Sequence, residues 1–278
     1  APYWVSYADI VQLTGAKPII VTCDISQQFK ITPSQLDESI TDATKLVFLN
    51  SPSNPTGAVY SKDELRSLAD ILLKHPHVYI GTDDIYEHIN LGDNPFYNIL
   101  MVEPKLKDRV IVLNGVSKAY SMTGWRIGFA AGPKEIISAM SKLQSQSTSN
   151  PTSISQVAAE AALRGSRDCI IPMVKAFKER HEYVLDALND INGVKCIPAE
   201  GAFYAFCDAH EAIDQLYESR KIDQKNDLAF ADYLLESQGV AVVPGSAFGL
   251  DGYFRISFAT SMDNLVEAIK RIKKAIEG

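Results

Sequence analysis

The chain has 278 residues, 46% of them apolar and 22% charged, so it can bury a sizeable core in one large domain or two unequal ones. Its net charge of -7, with no basic run or basic face, excludes a general nucleic-acid or acidic-membrane binder and favours small-molecule chemistry. No apolar stretch reaches membrane-spanning length, no signal peptide is visible, and the four cysteines form neither a CxxC pair nor a zinc-like cluster, so a cytoplasmic protein with reduced, buried thiols is expected.

From the amino end, "APYWVSYADIVQLTG" carries turn and aromatic residues into an apolar-periodic segment, a texture that belongs inside a folded domain. Strand-length apolar runs then alternate with helical patterns: "KPIIVT", "PSQLDESI", "TKLVFLN", "SKDELRSLADILLK", "HVYIGTDD", and later "RVIVLNG" and "RIGFAAG". That alternation predicts βαβ units, hence an α/β fold with a mostly parallel sheet sandwiched by helices. A capping box of Ser61 and Glu64 signals the start of one helix. Helices continue over "PKEIISAMSKLQSQ" and "SISQVAAEAALRG", and a longer one runs from Asp168 to Leu188, past Pro172, towards the Asn192-Gly193 turn. Beyond it short strands take over, "VKCI", "GAFYAFCD", "VAVVPG" and "YFRISFA", with helices over Asp227 to Ser237 and from Asn264 onward. The change in texture divides the chain into a first domain over 1–170 and a long connecting helix plus a smaller α+β domain over 171–278.

Ligands of open α/β sheets bind beyond the carboxyl ends of the strands. Four stretches fall there, "NSPSNPTG", "TDDIYE", "NGVSK" and the loop before "GWRIG", and their side chains are expected to converge on one pocket. Taken singly, each has an ordinary explanation. The prolines and glycine of "SPSNPTG" make a turn whatever Asn54 does, and the two aspartates of "TDD" suit a helix cap or half of a magnesium site. Lys118 suits a solvated loop, Trp4 a core position, and Arg255, alternating with Phe254 and Ile256, a surface strand.

The combination is more specific. An asparagine in an "NPTG" turn, Asp-x-x-Tyr at a strand end, Ser-Lys with an arginine eight positions on, and an arginine in a late strand resemble the fold type I pyridoxal-phosphate enzymes, and among them the class I aminotransferases. "PYWVSY", "NPTGAVY", "SKAYSMTGWRIG", "GAFY" and "VVPG" are most similar to the bacterial aspartate aminotransferase branch, in the family's order along the whole chain.

The resemblance implies a large domain that binds pyridoxal 5'-phosphate over 1–170, incomplete on its N-terminal side, and a small domain over 171–278. It implies that Lys118 carries the cofactor as an imine and moves a proton at the substrate Cα, while Asp83 keeps the ring nitrogen protonated. Tyr86 and Asn54 would hydrogen-bond the ring oxygen, Trp4 would stack on the ring, and Ser117 and Arg126 would hold the phosphate. On the substrate side Arg255, with Asn54 and Trp4, would hold the α-carboxylate of an amino acid or 2-oxo acid, L-aspartate and 2-oxoglutarate being the expected pair, and the family is homodimeric. Roughly the first third of a family chain has no counterpart, including a Gly-rich helix start and the residues that read a distal carboxylate, so an inactive fragment is one expectation. Other readings are a β-lyase or aminocyclopropane-type synthase on the same scaffold, and a regulatory domain, against which the intact Lys118 counts. A magnesium-dependent phosphotransferase built on "TDD" lacks a glycine-rich phosphate loop.

Overall fold

A computed structural model describes residues 1–278. In chain order the elements are α1 (Ser6–Leu13), α2 (Pro33–Ser39), β1 (Leu46–Asn50), α3 (Lys62–Lys74), β2 (Tyr79–Asp83), α4 (Ile99–Val102), β3 (Val110–Gly115), β4 (Gly128–Ala131) and α5 (Lys134–Ser147). There follow α6 (Ser153–Arg164), α7 (Ile170–Asn189), β5 (Lys195–Cys196), β6 (Tyr204–Asp208), α8 (His210–Glu218), α9 (Asp227–Gln238), β7 (Val243–Pro244), β8 (Tyr253–Ser257) and α10 (Met262–Glu277). The chain gathers into two units: one of Thr32–Pro52 and Val59–Val174, the other of Ala1–Ile31, Ser53–Ala58 and Lys175–Gly278. This division differs from the expected 1–170 and 171–278, because backbone bonds draw two early segments to the later one. Tyr3 N–H donates to the Phe248 carbonyl at 3.0 Å, and Glu200 and Gly201 N–H donate to the Gly57 carbonyl at 3.0 and 2.9 Å.

The first unit holds a sheet in the order β1-β2-β3-β4. β1, β2 and β3 run parallel, and α3 makes the crossover between the first two. The α3 capping box is formed: Ser61 N–H donates to Glu64 Oε2 at 2.7 Å, and Glu64 N–H to Ser61 Oγ at 3.2 Å. From it the helix presents Leu65, Leu68, Ala69 and Leu72, spaced three and four apart, as a buried stripe. α2 carries a second capping box, Thr32 with Gln35, followed by Pro33 at the first helical position. "RIGFAAG" forms β4, but antiparallel to β3. The connection 116–127 contains only a short 3-10 turn, Thr123–Trp125, and a parallel return needs a longer crossover. "KPIIVT" forms no strand. Cys23 N–H reaches the Ala1 carbonyl at 2.7 Å and the Ala1 amino group the Val21 carbonyl, and a strand needs a full neighbouring ladder, not one residue.

The second unit holds an antiparallel sheet in the order β5-β6-β8-β7. Phe29, Phe206, Phe248 and Tyr253 make a buried aromatic cluster on it, with the rings of Phe206 and Tyr253 stacked at 5.2 Å. α10 adds Leu265, Ile269, Ile272 and Ile276, a 3.6-period stripe. α7 starts at Ile170 and has Pro172 in its first turn, where a missing N–H leaves no bond unmade. Cys23, Cys196 and Cys207 are buried as expected, whereas Cys169 is exposed. No helix is long and apolar enough to cross a membrane.

Candidate active site

In the parallel-sheet unit, the direction of β1 to β3 puts their carboxyl ends along one edge. Asp83 ends β2 opposite Asn50, the last residue of β1, and the Asn50 side chain donates to the Asp83 carbonyl at 2.9 Å. The Asp83 carboxylate is half-buried and accepts from Ile85 N–H at 3.3 Å. Three residues on, Tyr86 is buried. Just past the end of β3 lie Ser117 and Lys118, both half-buried, and the Lys118 amine stands 5.8 Å from the centre of the Tyr86 ring. Arg126 is exposed, in a left-handed backbone conformation (φ 53°), with its guanidinium donating to the Thr123 carbonyl at 2.9 Å.

The two adjacent aspartates have separate fates. Asp84 points into the protein, accepting from the Thr82 hydroxyl and from the Asn98 amide, both at 2.6 Å, while Asn98 caps α4 through Met101 N–H. It braces the turn that presents Asp83. Burial pushes the Asp84 carboxyl up from 3.8 to about 6, against the lowering effect of its two hydrogen bonds. Between those values the unfolded chain has released a proton that the folded protein still holds, so stability is lost as pH rises through the window. Asp84→Asn is expected to remove this slope, gaining on the parent protein as pH rises from 3.8 to about 6 in urea unfolding. A constant offset between the two proteins across the window would reject the burial effect.

In the second unit Arg255 lies on β8, paired with Phe206 of β6 and Val243 of β7. Its Nη1 donates to Asn54 Oδ1 at 2.8 Å. The guanidinium carbon sits 4.5 Å from the Tyr204 ring centre and 4.8 Å from that of Phe248. Arg255 is therefore not a surface-strand arginine: it is oriented by an amide and two ring faces. Asn54 is buried in the "SPSNPTG" turn. That turn needs Gly57, whose φ of +69° and whose missing Cβ would otherwise lie 2.5 Å from the Ala199 Cβ. Trp4 is 39% exposed and meets Tyr7 edge-on at 5.4 Å, so it is no core residue. Tyr204 and Phe248 were not among the residues expected from sequence. The available signal was the alternation of aromatics at 204 and 206 on one face of β6, which puts Tyr204 diagonal to Arg255.

The structure thus places Asp83, Tyr86, Ser117, Lys118 and Arg126 in one unit, and Trp4, Asn54 and Arg255 in the other. Within the first set the donors fit pyridoxal phosphate by their chemistry: an amine, a carboxylate, a phenol, a hydroxyl and a guanidinium, carried by the ends of adjacent parallel strands and the loops beyond them.

Comparison with known proteins agrees. Residues 1–272 match the family model for aminotransferase class I and II. The aspartate/prephenate aminotransferase of Nitrosomonas europaea is 56% identical over 272 residues, which are 98% of this chain and 68% of that protein. An aspartate aminotransferase of Rhizobium meliloti is 50% identical over 274 residues, 99% of this chain and 67% of that protein. Among solved structures, aspartate aminotransferase from Rhizobium meliloti superposes with a TM-score of 0.94 at 47% identity, covering 100% of this chain and 69% of the other. Aromatic aminotransferase from Pyrococcus horikoshii gives 0.91 at 35% identity, covering 100% and 72%. The chain spans about two thirds of the length of such relatives. With its α/β fold and its order of motifs matched throughout, the chain belongs to the aminotransferase class I and II family, enzymes that depend on pyridoxal phosphate.

Proposed function

We propose that the enzyme moves the amino group of L-aspartate to 2-oxoglutarate, as a cytoplasmic homodimer, with Lys118 as the residue that transfers the proton. The observation that carries this reading is the Lys118 amine held over the Tyr86 ring just past β3, with Asp83 ending the adjacent parallel strand. When bound, pyridoxal phosphate supplies an aldehyde that takes up the amino group and a ring that accepts the electron pair left at Cα. The residues of the chain do the rest. Asp83 would hold a proton on the ring nitrogen, because an anion there opposes its loss. With the cofactor bound, the Lys118 amine would take the proton from the substrate Cα and deliver it to the cofactor carbon on the other side of the transferred nitrogen, so one base would serve both proton transfers. Tyr86 and Asn54 would hydrogen-bond the ring oxygen, Ser117 and Arg126 would hold the phosphate, and Trp4 would cover a ring face. Arg255, fixed by Asn54, binds the α-carboxylate that every donor and acceptor carries.

The names of the relatives support aspartate as donor, and the Nitrosomonas protein's name includes prephenate as well, so both oxo acids belong in the assay. The test is to add pyridoxal phosphate, reduce with borohydride and map the modified peptide. Label on Lys118, together with glutamate formed from aspartate and 2-oxoglutarate, is the expected outcome. Label on any other lysine rejects the assignment.

A further inference from the structure

A second pair of acids lies in the antiparallel unit, neither of them assigned a role so far. Asp227, in the first turn of α9, is 1% exposed. Its Oδ2 accepts from Ser246 N–H, while Oδ1 is buried with no donor against it. The neighbouring carboxyl is that of Asp251, which is exposed and whose Oδ1 accepts from Gly252 N–H at 2.7 Å and from Asp227 N–H at 3.4 Å. Two carboxylates offer each other only lone pairs, so a bond between them requires one shared proton. These two acids hold the two ends of a single loop, 245–252. The loop carries Phe248, fully buried, whose ring faces the Arg255 guanidinium.

We propose that Asp227 and Asp251 form a proton-sharing carboxyl pair that fixes the 245–252 loop and so acts as a positioning device for Arg255. The proposal rests on the reading of Arg255 as the carboxylate clamp. With the proton in place the pair ties α9 to the loop. With both acids ionised they repel, the loop loosens, and Phe248 no longer holds the guanidinium in one plane.

Burial and the Asp251 carboxyl push Asp227 up to about 6, which puts the change within the range in which an enzyme works. Few other charges bear on the pair. From the start of α8, His210 faces Asp251, and its Nδ1 is paired with Asp208 at 2.8 Å. Gly252 (φ +80°) lets the His210 ring lie where a Cβ would stand. On β8, Tyr253 is pushed up to about 12 and stays neutral, and Arg255 is bonded to Asn54. Lys225, two residues before Asp227, is paired with Asp214; on α10, Arg271 is paired with Glu267 and reaches only the far end of α9 at Gln238. β7 and the turn Gly245–Phe248 carry no charge.

Proton binding at the pair and carboxylate binding at Arg255 are then linked, and the linkage is reciprocal. The test measures succinate binding by calorimetry, and KM and kcat for aspartate, from pH 5 to pH 7 in the cofactor-loaded enzyme. Affinity and KM are expected to worsen roughly fivefold as pH rises, with kcat little changed. Asp227→Asn, whose amide can both accept from Ser246 and donate to Asp251, mimics the protonated pair and should stay flat at the low-pH value. A second readout is hydrogen exchange of 245–252, corrected for the intrinsic pH effect: it should quicken with pH in the parent protein and not in Asp227→Asn. A pH response of Asp227→Asn equal to that of the parent, in binding or in exchange, overturns the proposal. If Arg255→Leu leaves succinate binding unchanged, the clamp reading fails instead, and exchange still decides whether the pair holds the loop.

Discussion

Lys118→Ala is expected to lower kcat by about a thousandfold or more, since a positioned base contributes roughly 10²–10⁴ and the same amine is also the cofactor's covalent anchor. The fold should survive. Lys118 is half-buried on a loop past β3, and the adjacent core is made by Val116 and Ala119 rather than by its stem. Thermal unfolding should therefore move little while turnover disappears, and a small primary amine added to the variant should restore part of the rate by replacing the missing base. Substantial activity in the alanine variant, or a collapse of stability equal to the loss of rate, would remove Lys118 from the chemistry.

Arg255→Leu is expected to raise KM for aspartate and 2-oxoglutarate by roughly a hundredfold, because truncating one partner of a desolvated charge pair costs about 2–5 kcal/mol. The visible spectrum of the cofactor should be nearly unchanged, as the residues proposed to hold it belong largely to the other unit. Arg255→Lys should recover little: an ammonium cannot lie flat between the Tyr204 and Phe248 rings while it donates to Asn54 and grips a carboxylate with two parallel bonds. Steady-state kinetics with both oxo acids and a cofactor titration separate these outcomes. Equal losses of cofactor and substrate binding would make Arg255 a structural residue.

Much of this was legible in the sequence because local chemistry and global fold agree. The apolar runs of β1 and β3 are short and rich in Val, Ile and Leu, that of β2 ends in the polar Thr-Asp-Asp, and the Ser61 box announces α3 one residue before it starts. Where the reading departed, a tertiary cause decided. "KPIIVT" has strand composition but lacks a partner ladder. β4 runs antiparallel because of the length of a connection rather than its own residues. The helix α8 was passed over because "HEAIDQLYE" follows directly on β6 without a side-chain cap to mark the change. The cage around Arg255 was invisible for another reason: Tyr204 reaches it across a strand pair and Phe248 across a loop, and neither proximity has a signature in one dimension. The same holds for Asp227 and Asp251, whose coupling depends on a buried and an exposed residue 24 apart meeting in the fold.

The hydrogen bond between Arg255 and Asn54 joins residues 201 positions apart. Contacts of such separation are the last to repay the entropy of closing their loop, so they form late in folding. Most of the parallel-sheet unit is a single stretch, 59–174, and can fold while the remainder of the chain is still being made. The antiparallel unit closes later, because it is assembled from three stretches separated along the chain. A chain released early would thus carry its lysine and its aspartate but no arginine grip.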